Sequence, residues 1–289
     1  MSKLNVIEKE LIIPGLKKEY RILHVTDAHI TKYVEEDENT VIRAGLNTGK
    51  HLVSGFAHKR VNTFTKNGVT SSDGFAALCE SLRDAGPDFV DLVLFTGDIL
   101  DYYTDTAFAF MLAQLAKLPM PYLFVLGNHD WIFSHFTDEE SLALFSKTLC
   151  GGDYRLQKYK LGELTLIGTY DGDYYYDDET LALIEKAIEG EEHVILCQHV
   201  PINTPAFDTF LAENGHPYNY VIGAKDCPTK DDSYEKIMAL LTREGCPVRA
   251  LFCGDSHIDH TGPLTERVMQ FVSPMLPGNA PVLFTVKGE

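Results

Sequence analysis

The run Tyr122-Leu123-Phe124-Val125-Leu126-Gly127-Asn128-His129-Asp130 passes without a break from an apolar stretch to four flexible or polar positions. Pro119 and Pro121 bound it upstream. A short apolar run framed by turn residues reads as a buried strand, here Tyr122 to Leu126, and the four residues after it as the loop that leaves the strand. Working outward, the same transition recurs. Asp27-Ala28-His29 follows a strand expected at 20–26, and Gly97-Asp98 follows one at 89–95. Gln198-His199-Val200-Pro201 follows 193–198, and Gly254-Asp255-Ser256-His257 follows 248–253. Any one of these fragments is explained by turn chemistry, since Asp, Asn and His bond their own backbone. Five in succession, at the strand ends where α/β folds place binding loops, are not.

Between these strands lie helical patterns. Phe75, Leu78 and Leu82 recur at helical spacing before Gly86-Pro87 ends the pattern, and helices are expected at 75–84, 105–117, 138–148, 178–189 and 232–244. Further strands are expected at 155–160, 164–169, 267–272 and 282–286. Strands alternating with helices give an α/β class, and residues 1–289 are expected to form a single domain. Segments 31–74 and 201–231 break the alternation and read as long loop insertions near the active site. The first carries Lys50, His51, His58, Lys59 and Arg60, either a solvated loop or a substrate-facing lid. The run from Tyr170 to Asp178 reads as a loop into a helix capped by Asp177 or Asp178. Trp131 and Phe133 read as core packing, with stacking on a base or ring as the alternative.

Composition restricts the partners. A formal net charge of −17 repels polyanions, so an extended nucleic-acid interface is disfavoured and a small phosphorylated substrate is not. No stretch approaches the roughly 20 apolar residues of a membrane helix. Met1-Ser2-Lys3-Leu4-Asn5 opens no signal peptide, and the six cysteines show no Cys-x-x-Cys pair. A cytoplasmic chain with reduced core thiols is expected. Nothing in the sequence assigns an oligomeric state.

The residue types at the strand ends form an inventory of metal ligands. Imidazole nitrogen, carboxylate and amide oxygen suit Zn, Mn, Fe or Mg, and no thiolate is placed to compete. Asp98 has two oxygens and can bridge two cations at a separation of roughly 3.5–4 Å. No Gly-x-Ser-x-Gly elbow offers a serine nucleophile.

Asp-x-His, Gly-Asp, Gly-Asn-His-Asp, a lone His and a terminal glycine-led element, in this order over about residues 21–260, resemble the calcineurin-like metallophosphoesterase superfamily. The resemblance implies a four-layer α/β/β/α sandwich of two mixed sheets flanked by helices. It implies hydrolysis of a phosphate mono- or diester by water activated at a dinuclear metal centre. Asp27, His29 and His257 are then ligands of a first metal, Asp98 bridges, and Asn128 and His199 bind a second. His129 is the proton donor near the leaving group, and Asp130 is expected to orient it by accepting its other ring proton. Asp101 either supports the site or caps a helix. One position departs from the family: Asp255 stands where a second-metal histidine is expected. We expect Asp255 to ligate the second metal. A carboxylate is harder than imidazole, so of Mn, Fe, Zn and Mg the two divalent or trivalent ions are expected to be Mn or Fe. A catalytically silent scaffold that binds a protein partner is the competing reading.

Overall fold

The computed structural model describes residues 4–34, 37, 55–131, 138–215, 221–227, 229 and 232–289. Strand β1 (Ile7–Ile12) precedes β2 (Tyr20–Val25), β3 (Leu92–Thr96) and β4 (Tyr122–Val125). These four and the last strand, β11 (Val282–Lys287), form a five-stranded sheet in the order β1-β11-β2-β3-β4. A six-stranded sheet has the order β5-β6-β7-β8-β10-β9. Its strands are β5 (Leu156–Leu161), β6 (Leu164–Thr169), β7 (His193–Cys197), β8 (Val248–Cys253), β9 (His260–Pro263) and β10 (Met269–Val272). Both sheets are mixed: β2, β3 and β4 run parallel, as do β6, β7 and β8, with antiparallel strands towards the edges.

Strand periodicity separates the layers. Ile22, Leu92, Leu94 and Val125 meet Leu166, Ile195 and Phe252 between the sheets. Their neighbours Leu23, Val25, Val93 and Phe95 point the other way. There they meet Phe75 and Leu82 of α2 (Ser71–Ala85) and Met111 and Leu115 of α3 (Asp105–Leu115). Helix α4 (Asp138–Thr148) adds Phe145 to that layer. Behind the second sheet, Ile167, Val194 and Leu196 pack on Ile184 of α5 (Asp178–Ile188) and Ile237 of α7 (Ser233–Thr242). Each large side chain so covered contributes roughly 1.5–3 kcal/mol. The result is a four-layer α/β/β/α sandwich of two mixed sheets, the architecture the resemblance implies.

Helix ends follow the local chemistry. Gly86 closes α2 at φ 87°, and Asp177 caps α5 by accepting the Thr180 N–H at 2.7 Å. Trp131 packs against the core; Phe133 lies outside the described residues. All six cysteines are buried and free. Among the described residues no helix is long and apolar enough to cross a membrane.

The two supposed loops are partly helical. Segment 31–74 contains α1 (Phe56–Thr63) and the start of α2, while 201–231 contains α6 (Pro205–Glu213). Thr204 caps α6, a proline opens it, and Phe207 and Leu211, four residues apart, bury its inner face. Two apolar anchors in nine residues are too few to show a period against the surrounding Pro, Asn and Asp. β1 was hidden differently, because it is an edge strand with Glu8, Lys9 and Glu10 in its middle.

Candidate metal centre

β2, β3 and β4 end together, β7 and β8 end together, and the two sets of C-terminal loops meet at one edge of the sandwich. The loops are bonded to each other. Asp27 and His29 donate N–H to the carbonyls of Gly97 and Asp98 at 3.0 and 2.9 Å, and Gly254 donates to His199 at 2.9 Å. Bonds across the two sheets include Asp255 N–H to Asp27 Oδ2 at 3.0 Å, and His199 Nδ1 to the Thr96 carbonyl at 2.8 Å. Asp27, His29, Asp98, Asp255 and His257 all adopt positive φ, between 44° and 58°. Non-glycine residues rarely do so, and such strain gathers at functional sites. Glycine supplies the remaining room. A Cβ at Gly127 would lie 2.2 Å from Asp98 Oδ1, and one at Gly254 would lie 2.4 Å from Asp27 Oδ2.

The side chains converge on two adjacent positions. At the first, His257 Nε2 is 3.2 Å from Asp27 Oδ1 and 3.0 Å from His29 Nε2, which is 3.9 Å from Asp98 Oδ2. At the second, His199 Nε2 lies 3.3 Å from the other oxygen of Asp98 and 3.4 Å from Asp255 Oδ1. Asp98 therefore faces both positions, one oxygen to each. Donor atoms of Asp27, His29 and His257, and of Asp27, Asp98 and His199, are close enough to hold one ion per group. Asp27 Oδ1, Asn128 Oδ1 and His199 Nε2 are buried with no hydrogen-bond partner. An unpaired buried acceptor costs about 1–3 kcal/mol, which applies to Asn128 Oδ1, while Asp27 Oδ1 and His199 Nε2 have only ion-pair neighbours, the nearest at 3.2 to 3.4 Å; cations fit as partners for all three. Asp255 points into the cluster. His260 instead packs against the rings of Phe207 and Phe210 at 4.9 and 4.4 Å.

Electrostatics reflect the crowding. Burial opposes charge on Asp98, but His199, His129 and His29 outweigh it and hold the carboxyl well below the usual range. Burial likewise opposes charge on His199 and His257; nearby carboxylates, chiefly Asp98 for the former and Asp27 for the latter, hold both imidazoles above their ordinary value.

The surrounding layer departs from expectation at Asp130. It does not touch the His129 ring. Its carboxylate accepts backbone N–H groups from Gly127 at 2.8 Å, Leu100 at 2.8 Å and Asp98 at 3.0 Å. The turn after Asn128 aims Asp130 inward at the amides of the loops that follow β3 and β4, and burial together with Asp98 pushes its carboxyl up to about 7. His129 instead donates Nδ1–H to the Asp101 carbonyl at 2.7 Å. Asp101 caps no helix, since Thr104 caps α3. It accepts from His29 Nδ1 at 3.0 Å and from the Nε and Nη2 of Arg60 in α1. His29, Asp101 and His129 could by distance hold an ion too. The Arg60 guanidinium already occupies both Asp101 oxygens, which opposes a cation there.

Three further residues take roles at the site that the sequence reading did not assign them. Asp171, wholly buried, accepts the N–H groups of His199 and Val200 at 3.0 and 2.9 Å, and burial pushes its carboxyl up to about 7. It follows β6 as the other acidic residues follow their strands, but the tyrosines and aspartates around it masked that signal. Phe64 was not singled out, and Arg60 reads from the sequence only as one member of a basic patch, solvated or lid-like. Phe64 stacks on His29 at 4.1 Å and Arg60 lies over Phe64 at 4.9 Å. His58 and Lys59 are exposed, whereas Lys50 and His51 lie outside the described residues. Above the cluster opens a cleft of about 570 Å³ lined by His29, Asp98, Asn128, His129, Asp255 and His257, with Arg60, Phe64, Tyr174, Leu211 and Ser256 around them.

A family model described as calcineurin-like phosphoesterase matches residues 20–259. Among curated proteins, none matches the sequence. Among solved structures, a dimetal phosphatase from Danio rerio is similar over 89% of this chain and 88% of its own, with 12% identity and a TM-score of 0.50. The phosphopantetheinyl hydrolase PptH from Mycobacterium tuberculosis is similar over 88% and 89%, with 13% identity and a TM-score of 0.46.

Proposed function

Because the chain belongs to the calcineurin-like phosphoesterase family, we propose that it cleaves a phosphate ester of a small molecule with water activated between two cations. The observation that carries this reading is the convergence of Asp27 Oδ1, Asn128 Oδ1 and His199 Nε2, all buried without a hydrogen bond, around a carboxylate that faces both positions. Asp27, His29 and His257 would hold one cation, Asn128, His199 and Asp255 the other, with Asp98 between them. Bound there, the cations lower the pKa of a shared water towards neutrality and neutralise phosphate oxygens.

The chain's own residues supply the rest. Attack forms a bond from the water oxygen to phosphorus, the ester P–O bond breaks, and the departing oxygen must gain a proton. His129 lines the cleft with Nδ1–H held by the Asp101 carbonyl, so it delivers that proton from Nε2 as an imidazolium. Asp130 and Asp171 fix the backbone of the loops that carry the ligands. The net charge of −17 disfavours polyanionic substrates, and six buried thiols fit a reducing compartment, for which we propose the cytoplasm. A silent scaffold has no need to crowd three carboxylates and three imidazoles at one buried point, with the Asn128 Oδ1 left without a hydrogen bond.

Metal analysis of protein loaded with Mn, Fe, Zn or Mg, paired with turnover of aryl phosphate mono- and diesters, tests this reading. About two equivalents per chain, metal-dependent turnover and loss of about one equivalent in Asp255→Ala are expected. A metal-replete protein that turns over no ester returns the scaffold reading. One equivalent, unchanged by Asp255→Ala, removes Asp255 from the ligand set.

A further inference from the structure

One wall of the cleft comes from α1, a helix the metal cluster itself does not require. Arg60 is the only lysine or arginine among the described residues that line the cleft. Its Nε and Nη2 are bound to Asp101, and its guanidinium lies 4.9 Å over Phe64, which also stacks on His29. The side chain is 25% exposed, and Nη1 has no hydrogen bond among the described residues. The guanidinium is held on one edge and from one face, with its remaining donors free. A preorganised fork of this kind loses little entropy on meeting a phosphate oxygen.

We infer that Arg60 binds a non-bridging oxygen of the substrate and selects phosphate monoesters, a reading that rests on the hydrolytic function proposed above. A diester offers two non-bridging oxygens and one negative charge, which two cations already satisfy. A monoester dianion has a third such oxygen and a second charge. The ligand carboxylates Asp27, Asp98 and Asp255 leave two divalent cations with a single net positive charge. Asp101 alone would cancel it; Arg60 offsets Asp101 and keeps the site positive, and its remaining donors give the third oxygen of a monoester a partner that the cations do not supply.

The test compares Mn-loaded wild type, Arg60→Ala and Arg60→Lys on p-nitrophenyl phosphate and bis-p-nitrophenyl phosphate, with calorimetric binding of inorganic phosphate as a readout independent of turnover. Wild type is expected to favour the monoester. Arg60→Ala is expected to lose roughly 30-fold in monoester kcat/KM, mostly through KM, but only about threefold or less on the diester, and to bind phosphate about tenfold more weakly. Arg60→Lys keeps the charge without the fork and is expected to fall between, which also serves if the alanine variant does not fold. Equal losses on both esters with unchanged phosphate affinity, or a wild type that prefers the diester, overturn the inference. If wild type turns over neither ester while phosphate binding still weakens in Arg60→Ala, the phosphate contact stands, and both the hydrolytic reading and monoester selection fall.

Discussion

Adjacent residues can be assigned to different tasks, and His129 and Asp130 show how. Their adjacency in sequence suggests a pair, yet one side chain lines the cleft while the other turns beneath it to hold three amides. The two variants should therefore fail differently. His129→Asn is expected to lower kcat by roughly 10² to 10⁴-fold at unchanged metal content, with a loss that grows as the leaving group becomes more basic. Asp130→Asn keeps one acceptor oxygen and replaces the other with an NH₂ group aimed at backbone donors. It is expected to destabilise the fold by roughly 1–3 kcal/mol or more and to weaken metal binding. Thermal melting, metal content and a leaving-group series separate the two. A full metal complement, a native melt and the His129 signature in Asp130→Asn would reinstate the pairing. The ligand candidates were legible because each follows a strand, where chemistry and turn formation share a vocabulary. The partners of the second layer were not, because a side chain's direction depends on a φ the sequence does not display. Positive φ at Asp27, His29, Asp98, Asp255 and His257 is one such case.

Elements were readable in proportion to how completely they are buried. β3 and β7 are buried along their whole length and stood out as apolar runs, whereas β1 and α1 expose polar faces and did not. β2 holds one polar residue facing the inter-sheet core, His24, hydrogen-bonded to Thr96 Oγ1 at 2.6 Å and Ser273 Oγ at 2.7 Å. Burial drives its pKa down from 6.5 to about 3, Lys9 adding to the shift and Asp27 opposing it. The unfolded chain protonates here as pH falls through 6.5, but the folded chain does not until about 3. Stability from this residue is therefore complete above pH 6.5 and is lost, at about 1.4 kcal/mol per pH unit, as pH falls through that window. His24→Gln, which cannot titrate, is expected to flatten the denaturant-measured stability between pH 6.5 and 4 relative to wild type. Parallel pH profiles for the two proteins would place the acid lability elsewhere.

At the scale of the whole molecule, the sandwich joins two sheets at an edge where like charges crowd, and the free protein answers that crowding with protons. Carboxylates hold His199 and His257 above the ordinary imidazole value while Asp27 and Asp98 are held below theirs, so near neutrality the cluster is an array of ion pairs. A raised histidine pKa contributes stability that is fully present below 6.5 and is lost as pH rises through the folded value. The metal-free protein is thus expected to melt at lower temperature as pH climbs from about 6.5 to 9. Cations need deprotonated ligands and take over the task the protons performed. The metal-loaded protein is therefore expected to hold its melting temperature over the same range, so the gap between the two forms widens with pH. Metal binding should release about one to two protons per chain near pH 7, seen as buffer-dependent enthalpy when Mn²⁺ is titrated into metal-free protein. The apparent affinity should climb with pH in step. Proton release of zero, with a gap in melting temperature that stays constant from pH 6 to 9, would mean that His199 and His257 are already neutral in the free protein. The ion-pair account of how these loops are held before metal arrives would then fail, though the ligand set would not.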